Sequence, residues 1–171
     1  MSFDLSVIPN KNIVLAVTGG IAAYKSAILV RRLKDAGFNV RVVMTHGAQA
    51  FVTPLTFQAL SGNPVHTELL NPEAEAGMGH IELARWADLL LVAPASCDTL
   101  AKFAAGLADD LLSTLYLATK SPVWVAPAMN QQMWAAKATQ RNLNTLVEDG
   151  VHVIMPDAGS QACGDVGLGR M

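Results

Sequence analysis

The 171-residue sequence has little charge of either sign. Charged residues make up 15% of the chain, against roughly a quarter in an average soluble protein, whereas hydrophobic residues make up 51%. The chain has 12 basic and 14 acidic residues and a net charge of −2, and the basic residues do not cluster in the sequence. This balance argues against nucleic acid or an anionic membrane surface as a partner. A surface so poor in charge is typical of subunits that bury apolar area against one another, so we expect a homo-oligomer.

Long hydrophobic runs and cysteines are also scarce. The longest apolar run, Leu89 to Ala95, lies between Asp88 and Asp98 and falls far short of the ~18 residues that a membrane span needs. The two cysteines are far apart in sequence and do not form the disulfide framework of a small secreted domain. We expect Cys97 in the core and Cys163 in an exposed loop. Together these features predict a cytoplasmic protein with no membrane span.

Short apolar runs alternate with helical patterns along the chain. Five runs, mostly β-branched, predict strands buried on both faces: Ile13–Val17, Val40–Met44, Leu89–Ala93, Val123–Ala126 and Val151–Met155. Helical spacing predicts helices over Ala22 to Ala36 and over Ala135 to Glu148, with Gly37 and Gly150 directly after them. The alternation predicts a single α/β domain over residues 1–171. Its architecture is a doubly wound parallel sheet of the Rossmann or flavodoxin-like type, with helices on both faces.

Two segments lack periodicity and are rich in Gly, Pro and Ala: Leu69 to Gly79 and Pro156 to Met171. We expect both to be loops, which often carry function on this scaffold. No helix or strand is predicted to close the chain after Pro156. Such an ending is typical of a domain cut from a longer polypeptide.

Glycines and hydroxyl residues follow the predicted strands, at the sheet edge where such folds bind ligands. Gly19 and Gly20 open a helix whose amides and dipole favour a phosphate, although a tight turn explains them equally well. The second strand ends in Thr45 rather than the acidic residue that holds a dinucleotide ribose, which favours a mononucleotide over NAD. Ser96 follows the third strand, either as a helix N-cap or as a ligand contact.

Four further residues carry side chains suited to catalysis or substrate binding. His80 lies at a predicted helix start, where the dipole favours a neutral ring that accepts protons, although structural histidines are commoner. Arg85, one turn later, either pairs with an anionic substrate group or faces solvent. Asn130 either caps the helix that follows it or offers its amide to a ligand. The loop thiol of Cys163 suits nucleophilic or proton-transfer chemistry, and without neighbouring ligands at metal spacing it does not suit zinc.

Five segments together resemble the phosphopantothenoylcysteine decarboxylase family of flavoproteins, and the resemblance covers nearly the whole chain. These segments are TGGIAAYK (18–25), GHIELARWADLLLVAPAS (79–96), AAGLADDLLST (104–114), PAMNQQMW (127–134) and GSQACGDVGLGRM (159–171). The likeness is greatest to the decarboxylase half of bifunctional members that also carry a phosphopantothenate–cysteine ligase half, which has no counterpart here. The pair PAMN and ACGD is specific, because flavin prenyltransferases of similar fold are not expected to have both.

The resemblance implies FMN as the cofactor, no metal, and three groups of site residues. The implied catalytic residues are His80 as base, Asn130 as substrate ligand and Cys163 as proton donor. The implied flavin-binding residues are Gly19, Gly20, Ile21, Thr45, Ser96, Thr99 and Ala128. The implied substrate-binding residues are Arg85, Met129, Asn130 and Ala162.

The reaction implied by the resemblance is FMN-dependent decarboxylation of 4′-phosphopantothenoylcysteine to 4′-phosphopantetheine in coenzyme A biosynthesis. The carboxylate cannot leave until hydride transfer to the flavin oxidises the thiol carbon to a thioaldehyde, which supplies an electron sink. Cys163 would then protonate the enethiolate as the hydride returns. The family forms trimers, sometimes assembled into dodecamers, with sites between subunits, so we expect His80 to serve a flavin held by a neighbour.

Two alternatives remain open at this point. A flavin prenyltransferase of similar fold would need a site for an allylic phosphate donor and would not need Cys163. A non-catalytic flavin-binding regulatory subunit would be expected to lack one of His80, Asn130 and Cys163, and the sequence has all three.

Overall fold

The computed structural model describes residues 10–70 and 79–171, so most of the first predicted loop lies outside the described residues. A five-stranded parallel sheet with strand order β2-β1-β3-β4-β5 forms its centre. The strands are Asn12–Val17 (β1), Asn39–Met44 (β2), Leu89–Ala95 (β3), Val123–Pro127 (β4) and His152–Val153 (β5). The chain reverses direction across the sheet between β1 and β3, which confirms the predicted doubly wound fold.

Helices cover both faces of the sheet. They are α1 (Ala23–Asp35), a 3-10 turn (Gly47–Ala50), α2 (Pro54–Ser61), α3 (Gly79–Trp86), α4 (Cys97–Ala105), α5 (Leu111–Ala118), α6 (Gln131–Ala135) and α7 (Lys137–Glu148). Helices α1 and α2 pack on one face, and α3 to α7 pack on the other. The predicted helix from Ala135 is split because Ala136 adopts an extended conformation. Within the described residues, no helix has the length and apolar character of a membrane span.

The central strand β1 explains why the strands could be read from the sequence. Ile13, Leu15 and Val17 point into the core beneath α1 and α2, while Val14 and Ala16 point into the opposite core. All five side chains are fully buried. Each large aliphatic side chain so buried stabilises the fold by about 1.5 to 3 kcal/mol. Because both faces of β1 are buried, every position of the run is apolar.

The end of the described chain differs from the prediction. The predicted loop over Pro156 to Met171 contains an antiparallel hairpin of β6 (Asp157–Ser160) and β7 (Val166–Arg170). The segment therefore does close in a strand, and the expectation that none would follow Pro156 was wrong.

The glycines of β7 explain why the sequence pattern did not predict this hairpin. A Cβ at Gly169 would overlap the carbonyl oxygen of Met129, and one at Gly167 would overlap the side-chain oxygen of Gln131. Strand β7 therefore passes so close to the turn after β4 that a side chain at Gly169 would displace backbone, and one at Gly167 would displace the Gln131 side chain. The usual alternation of polar and apolar residues is lost as a result.

Candidate active site

A cleft of about 550 Å³ opens at the carboxyl ends of β1, β3 and β4. It brings together most of the predicted site residues: Gly19, Gly20, Ile21, Ser96, Ala128, Met129, Asn130, Ala162 and Cys163. A larger groove of about 730 Å³ lies at the opposite end of the sheet, near the start of β4 and β5. It contains none of the predicted residues, so the smaller cleft is the candidate active site.

Thr18, which the sequence reading missed, holds two walls of the cleft together. Its buried hydroxyl donates to the carbonyl of Pro94 at 2.6 Å and accepts from the backbone N–H of Ser96 at 2.8 Å. These bonds join the end of β1 to the end of β3 and set the glycine turn opposite Ser96. A hydroxyl residue closing a fully apolar strand was the available signal.

Close packing explains the glycine that follows Thr18. A Cβ at Gly19 would lie 3.1 Å from the carbonyl carbon of Gly47, so two backbone turns pack directly against each other. Nothing lies within 4 Å of a Cβ at Gly20. Gly19 is thus required by its neighbour, whereas Gly20 borders open space in the cleft.

The hydroxyl of Ser96 acts as the N-cap of α4 and also lines the cleft. It accepts from the backbone N–H of Thr99 at 3.1 Å and donates to the Thr99 hydroxyl at 3.0 Å. Thr99 is 4% exposed and is not among the lining residues of the cleft. Thr45 is also outside the lining, where its hydroxyl accepts from the N–H of Ala48 at 3.3 Å.

Cys97 is not a core residue, contrary to expectation. Helix α4 begins at Cys97, and this position places the residue in the lining of the cleft. Its side chain is partly exposed, and Sγ lies 3.3 Å from the hydroxyl of Thr139. Cys163 is exposed, as predicted.

Asn130 caps α6, and its amide nitrogen contacts the hairpin of β6 and β7. Its Oδ1 accepts from the backbone N–H of Gln132 at 2.8 Å and so caps α6. Its Nδ2 donates to Asp165 Oδ2 at 2.9 Å and lies 3.5 Å from Cys163 Sγ. The cap holds the amide in place, and the amide nitrogen faces the turn of the hairpin that carries the thiol.

The hairpin docks on this turn through backbone contacts. The N–H of Met129 donates to the carbonyl of Gly169 at 2.9 Å. Lys25, on α1, donates to the backbone oxygen of Met171, next to Arg170. Lys25 and Arg170 both line the cleft and bring positive charge to it.

His80 and Arg85 do not lie in this cleft. Both are on α3, which packs against α5, and neither is among the residues that line the cleft. Arg85 is exposed, while Nδ1 of His80 is buried and has no hydrogen-bond partner among the described residues. One chain therefore presents His80 and the pair Asn130 and Cys163 at separate places.

His66 and Lys102, which lie outside the cleft, have shifted pKa values. Burial lowers the pKa of His66, and the positive charge of Arg41 lowers it further. Burial opposes the charge on Lys102, but hydrogen bonding to Asp109 and the nearby carboxylates raise its pKa overall.

The family model for Flavoprotein matches residues 4–171. The chain belongs to the flavoprotein family. It is 62% identical over 161 residues to the coenzyme A biosynthesis bifunctional protein CoaBC of Escherichia coli K12, covering 94% of this chain and 40% of that protein. The Bacillus subtilis CoaBC is 48% identical over 162 residues, which cover 95% and 40% of the two chains. The chain thus spans about two fifths of the length of these curated relatives.

Solved structures of flavoproteins superpose on nearly the whole chain. The FMN-dependent cysteine decarboxylase SpaF has a TM-score of 0.84 at 32% identity, covering 95% of this chain and 91% of its own. A cysteine-to-serine variant of a PPC decarboxylase, complexed with pantothenoylaminoethenethiol, has a TM-score of 0.81 at 34% identity with the same coverage. The FMN-binding protein AtHal3 has a TM-score of 0.79 at 35% identity, covering 95% and 90%. The fold and family expected from the sequence motifs are therefore confirmed.

Proposed function

We propose that this chain is an FMN-dependent decarboxylase that converts 4′-phosphopantothenoylcysteine to 4′-phosphopantetheine in coenzyme A biosynthesis. The observation that carries the proposal is the pairing of Asn130 and Cys163 in the cleft, with Nδ2 and Sγ 3.5 Å apart. The identity to CoaBC proteins and the likeness to a PPC decarboxylase support the same substrate. We further propose that residues 1–171 form one decarboxylase domain and that it acts in the cytoplasm.

The cleft has the chemistry that FMN requires. The turn at Gly19 and Gly20 leads into α1, whose free amides and dipole favour a phosphate group. Apolar side chains of Ile21, Met129 and Met133 line the cleft, and Ile21 and Met133 are about half exposed to solvent. Such a surface suits a flat aromatic ring, which would cover it.

The residues of this chain divide the remaining work. Bound FMN would supply the redox chemistry, as an acceptor of a hydride from the substrate and a donor of the same hydride after the loss of CO2. The capped amide of Asn130 donates a hydrogen bond to the carboxylate or amide of the substrate and so orients it. The exposed thiol of Cys163, on the same side of the cleft, supplies the proton that completes the reduced product. The positive charges of Lys25 and Arg170 favour binding of an anionic substrate in the cleft.

A homo-oligomer, either a trimer or a dodecamer assembled from trimers, is the second part of the proposal. His80 lies outside the cleft of its own chain, so a neighbour's cleft is where it would act. Apolar side chains at Ile21, Tyr24 and Ile28 recur at helical spacing, and each is at least half exposed. Contact between subunits would bury this stripe beside the flavin site.

The prenyltransferase and regulatory alternatives are weaker. Neither alternative explains why the exposed thiol of Cys163, which does not pack in the core, lies next to Asn130. A cysteine decarboxylase acting on another acyl cysteine is a closer competitor, because the SpaF structure superposes so well. The CoaBC relatives favour the phosphopantothenoyl substrate.

One experiment tests cofactor, reaction and substrate together. The protein is purified, its visible spectrum is recorded, and FMN is added if the spectrum shows no flavin. The same sample is incubated with 4′-phosphopantothenoylcysteine or with a peptide ending in cysteine, and CO2 loss is followed by mass spectrometry. We expect a yellow protein that decarboxylates only the first compound. Absence of flavin uptake, or decarboxylation of the peptide alone, would refute the proposal.

Complementation tests the placement of His80. We expect His80→Asn and Cys163→Ser each to be unable to form 4′-phosphopantetheine when expressed alone. Co-expressed variants form hybrid oligomers in which Cys163 of one subunit meets His80 of another, so activity should return. If both groups act within one chain, the hybrids stay inactive.

A further inference from the structure

The carboxamide of Gln161, at the start of the hairpin turn, contacts both sides of Asn130. Its Oε1 accepts from the backbone N–H of Gln131 at 3.1 Å. Its Nε2 lies 3.4 Å from the carbonyl of Met129 and donates to the carbonyl of Leu168 at 3.1 Å. One side chain thus connects both hairpin strands to the residues before and after Asn130.

The same side chain also reaches the thiol. Cys163 Sγ lies 3.9 Å from Gln161 Oε1, which is a weak contact. The backbone supports the arrangement, because the N–H of Gln161 donates to the carbonyl of Asp165 at 2.7 Å and closes the turn. Gln161 is therefore the link between the turn that carries Cys163 and the helix start that carries Asn130.

The use of both ends of the carboxamide makes this position demanding. Oε1 meets a donor and Nε2 meets two carbonyl acceptors, so only a side chain with an acceptor and a donor of this length satisfies all partners. The side chain is half-buried. A carboxylate here would face the two carbonyls without a proton to donate, and an apolar chain would leave the N–H of Gln131 unpaired.

We propose that Gln161 is a positioning residue for the step performed by Cys163, an inference that rests on the proposed function. It clamps the hairpin on the turn at Asn130 and keeps the thiol beside the substrate after CO2 has left. It adds no chemical step and transfers no proton itself. When the clamp is weakened, the oxidised enethiol leaves before Cys163 delivers its proton.

The test measures how the product is divided between the oxidised enethiol and 4′-phosphopantetheine. For Gln161→Met we expect flavin content and CO2 release close to wild type, and a share of enethiol that rises about tenfold, since at least two ordinary hydrogen bonds are lost. Gln132→Met is the matched control, because Gln132 is exposed on α6 and its side chain makes no hydrogen bond within residues 10–70 and 79–171. It should leave the product ratio unchanged.

A second variant separates positioning from general disturbance of the fold. Gln161→Glu keeps the acceptor for Gln131, and in acid its protonated carboxyl again donates to the carbonyls. The enethiol share should therefore fall toward the wild-type value as the pH is lowered. The ionisable groups nearby are Cys163, Asp165 and Arg170 on the hairpin, and Gln161→Met retains all three without a carboxyl at 161. Gln161→Met should show no such recovery.

The outcomes are distinguishable. If wild-type protein releases no CO2 from 4′-phosphopantothenoylcysteine, the proposed function fails. If wild type is active and both Gln161 variants give the wild-type product ratio at every pH, the positioning role is refuted. Any one of three further results would also refute it. The first is loss of flavin or a lowered unfolding temperature in Gln161→Met. The second is an equal loss of CO2 release and of 4′-phosphopantetheine in both variants, and the third is no recovery of the product ratio by Gln161→Glu in acid.

Discussion

Replacing Gly169 with alanine should separate the hairpin from the active site while leaving the sheet intact. Gly169 has φ +130°, a conformation that side chains with a Cβ rarely adopt, and its Cβ would overlap the backbone oxygen of Met129. The backbone conformation alone costs on the order of 1 to 3 kcal/mol. Displacing β7 also breaks the hydrogen bond from the Met129 N–H to the Gly169 carbonyl, which contributes about 1 kcal/mol.

Together these costs weaken docking of the hairpin by about 3 kcal/mol, or roughly a hundredfold in the equilibrium constant. Formation of 4′-phosphopantetheine by Gly169→Ala should fall steeply, with the oxidised enethiol as the main product. Mass spectrometry of the products, with flavin content measured on the same sample, is the assay. The unfolding temperature should change little, because the hairpin contributes no buried residue to either core cluster.

Gly167→Ala is the matched control in the same strand. Its backbone is not in the left-handed region, and the nearest atom to its Cβ would be the terminal oxygen of the flexible Gln131 side chain and not a backbone atom. We expect most of the activity to remain. Wild-type product ratios in Gly169→Ala would refute the reasoning, and equal damage in Gly167→Ala would point to crowding instead of backbone conformation.

Four further predictions follow from single contacts. Cys163→Ser should release CO2 but accumulate the enethiol, and full yield of 4′-phosphopantetheine by mass spectrometry would remove the thiol from its role. Asn130→Asp keeps the helix cap but places a carboxylate where the amide is proposed to meet the substrate carboxylate. KM in steady-state kinetics should therefore rise about tenfold or more, and an unchanged KM would leave only the cap. Thr18→Val should lower the free energy of unfolding, measured by urea denaturation, by about 1 to 3 kcal/mol. Thr114→Val is the control, because it removes a buried hydroxyl that has no hydrogen-bond partner among the described residues, and it should be neutral or stabilising. Burial lowers the pKa of His66, so below pH 6.5, the ordinary pKa of histidine, the unfolded chain binds a proton that the folded chain does not. The free energy of unfolding should therefore fall as the pH drops below this value. His66→Gln should reduce that fall.

The scaffold could be predicted from the sequence because its strands are buried on both faces. Such strands are continuous apolar runs, and the predicted starts at Ile13, Val40 and Leu89 agree with the observed strands within one residue. The fifth strand was predicted over Val151–Met155 but covers only His152–Val153, because a strand at the edge of the sheet has a single neighbour to define it.

The site was predictable only in part. Residues at strand ends, such as Ser96 and Asn130, could be found because a parallel sheet gathers those ends at one edge. Thr18 and Gln161 could not, because their importance depends on partners 76 and about 30 positions away in the chain. Cys97 was misplaced because composition alone cannot tell which side of a helix start faces a cleft.

Because the hairpin of β6 and β7 is docked by polar contacts, its local stability differs from that of the central sheet. The sheet is held by two buried apolar clusters, whereas the strand pair after Pro156 is held mainly by a few hydrogen bonds at its surface. Segments of this kind open locally at a lower free energy than the core. Amide hydrogens of Met129 and Gln161 should therefore exchange with deuterium well before those of β1. The thiol can thus withdraw from the cleft and return many times within the lifetime of one folded molecule.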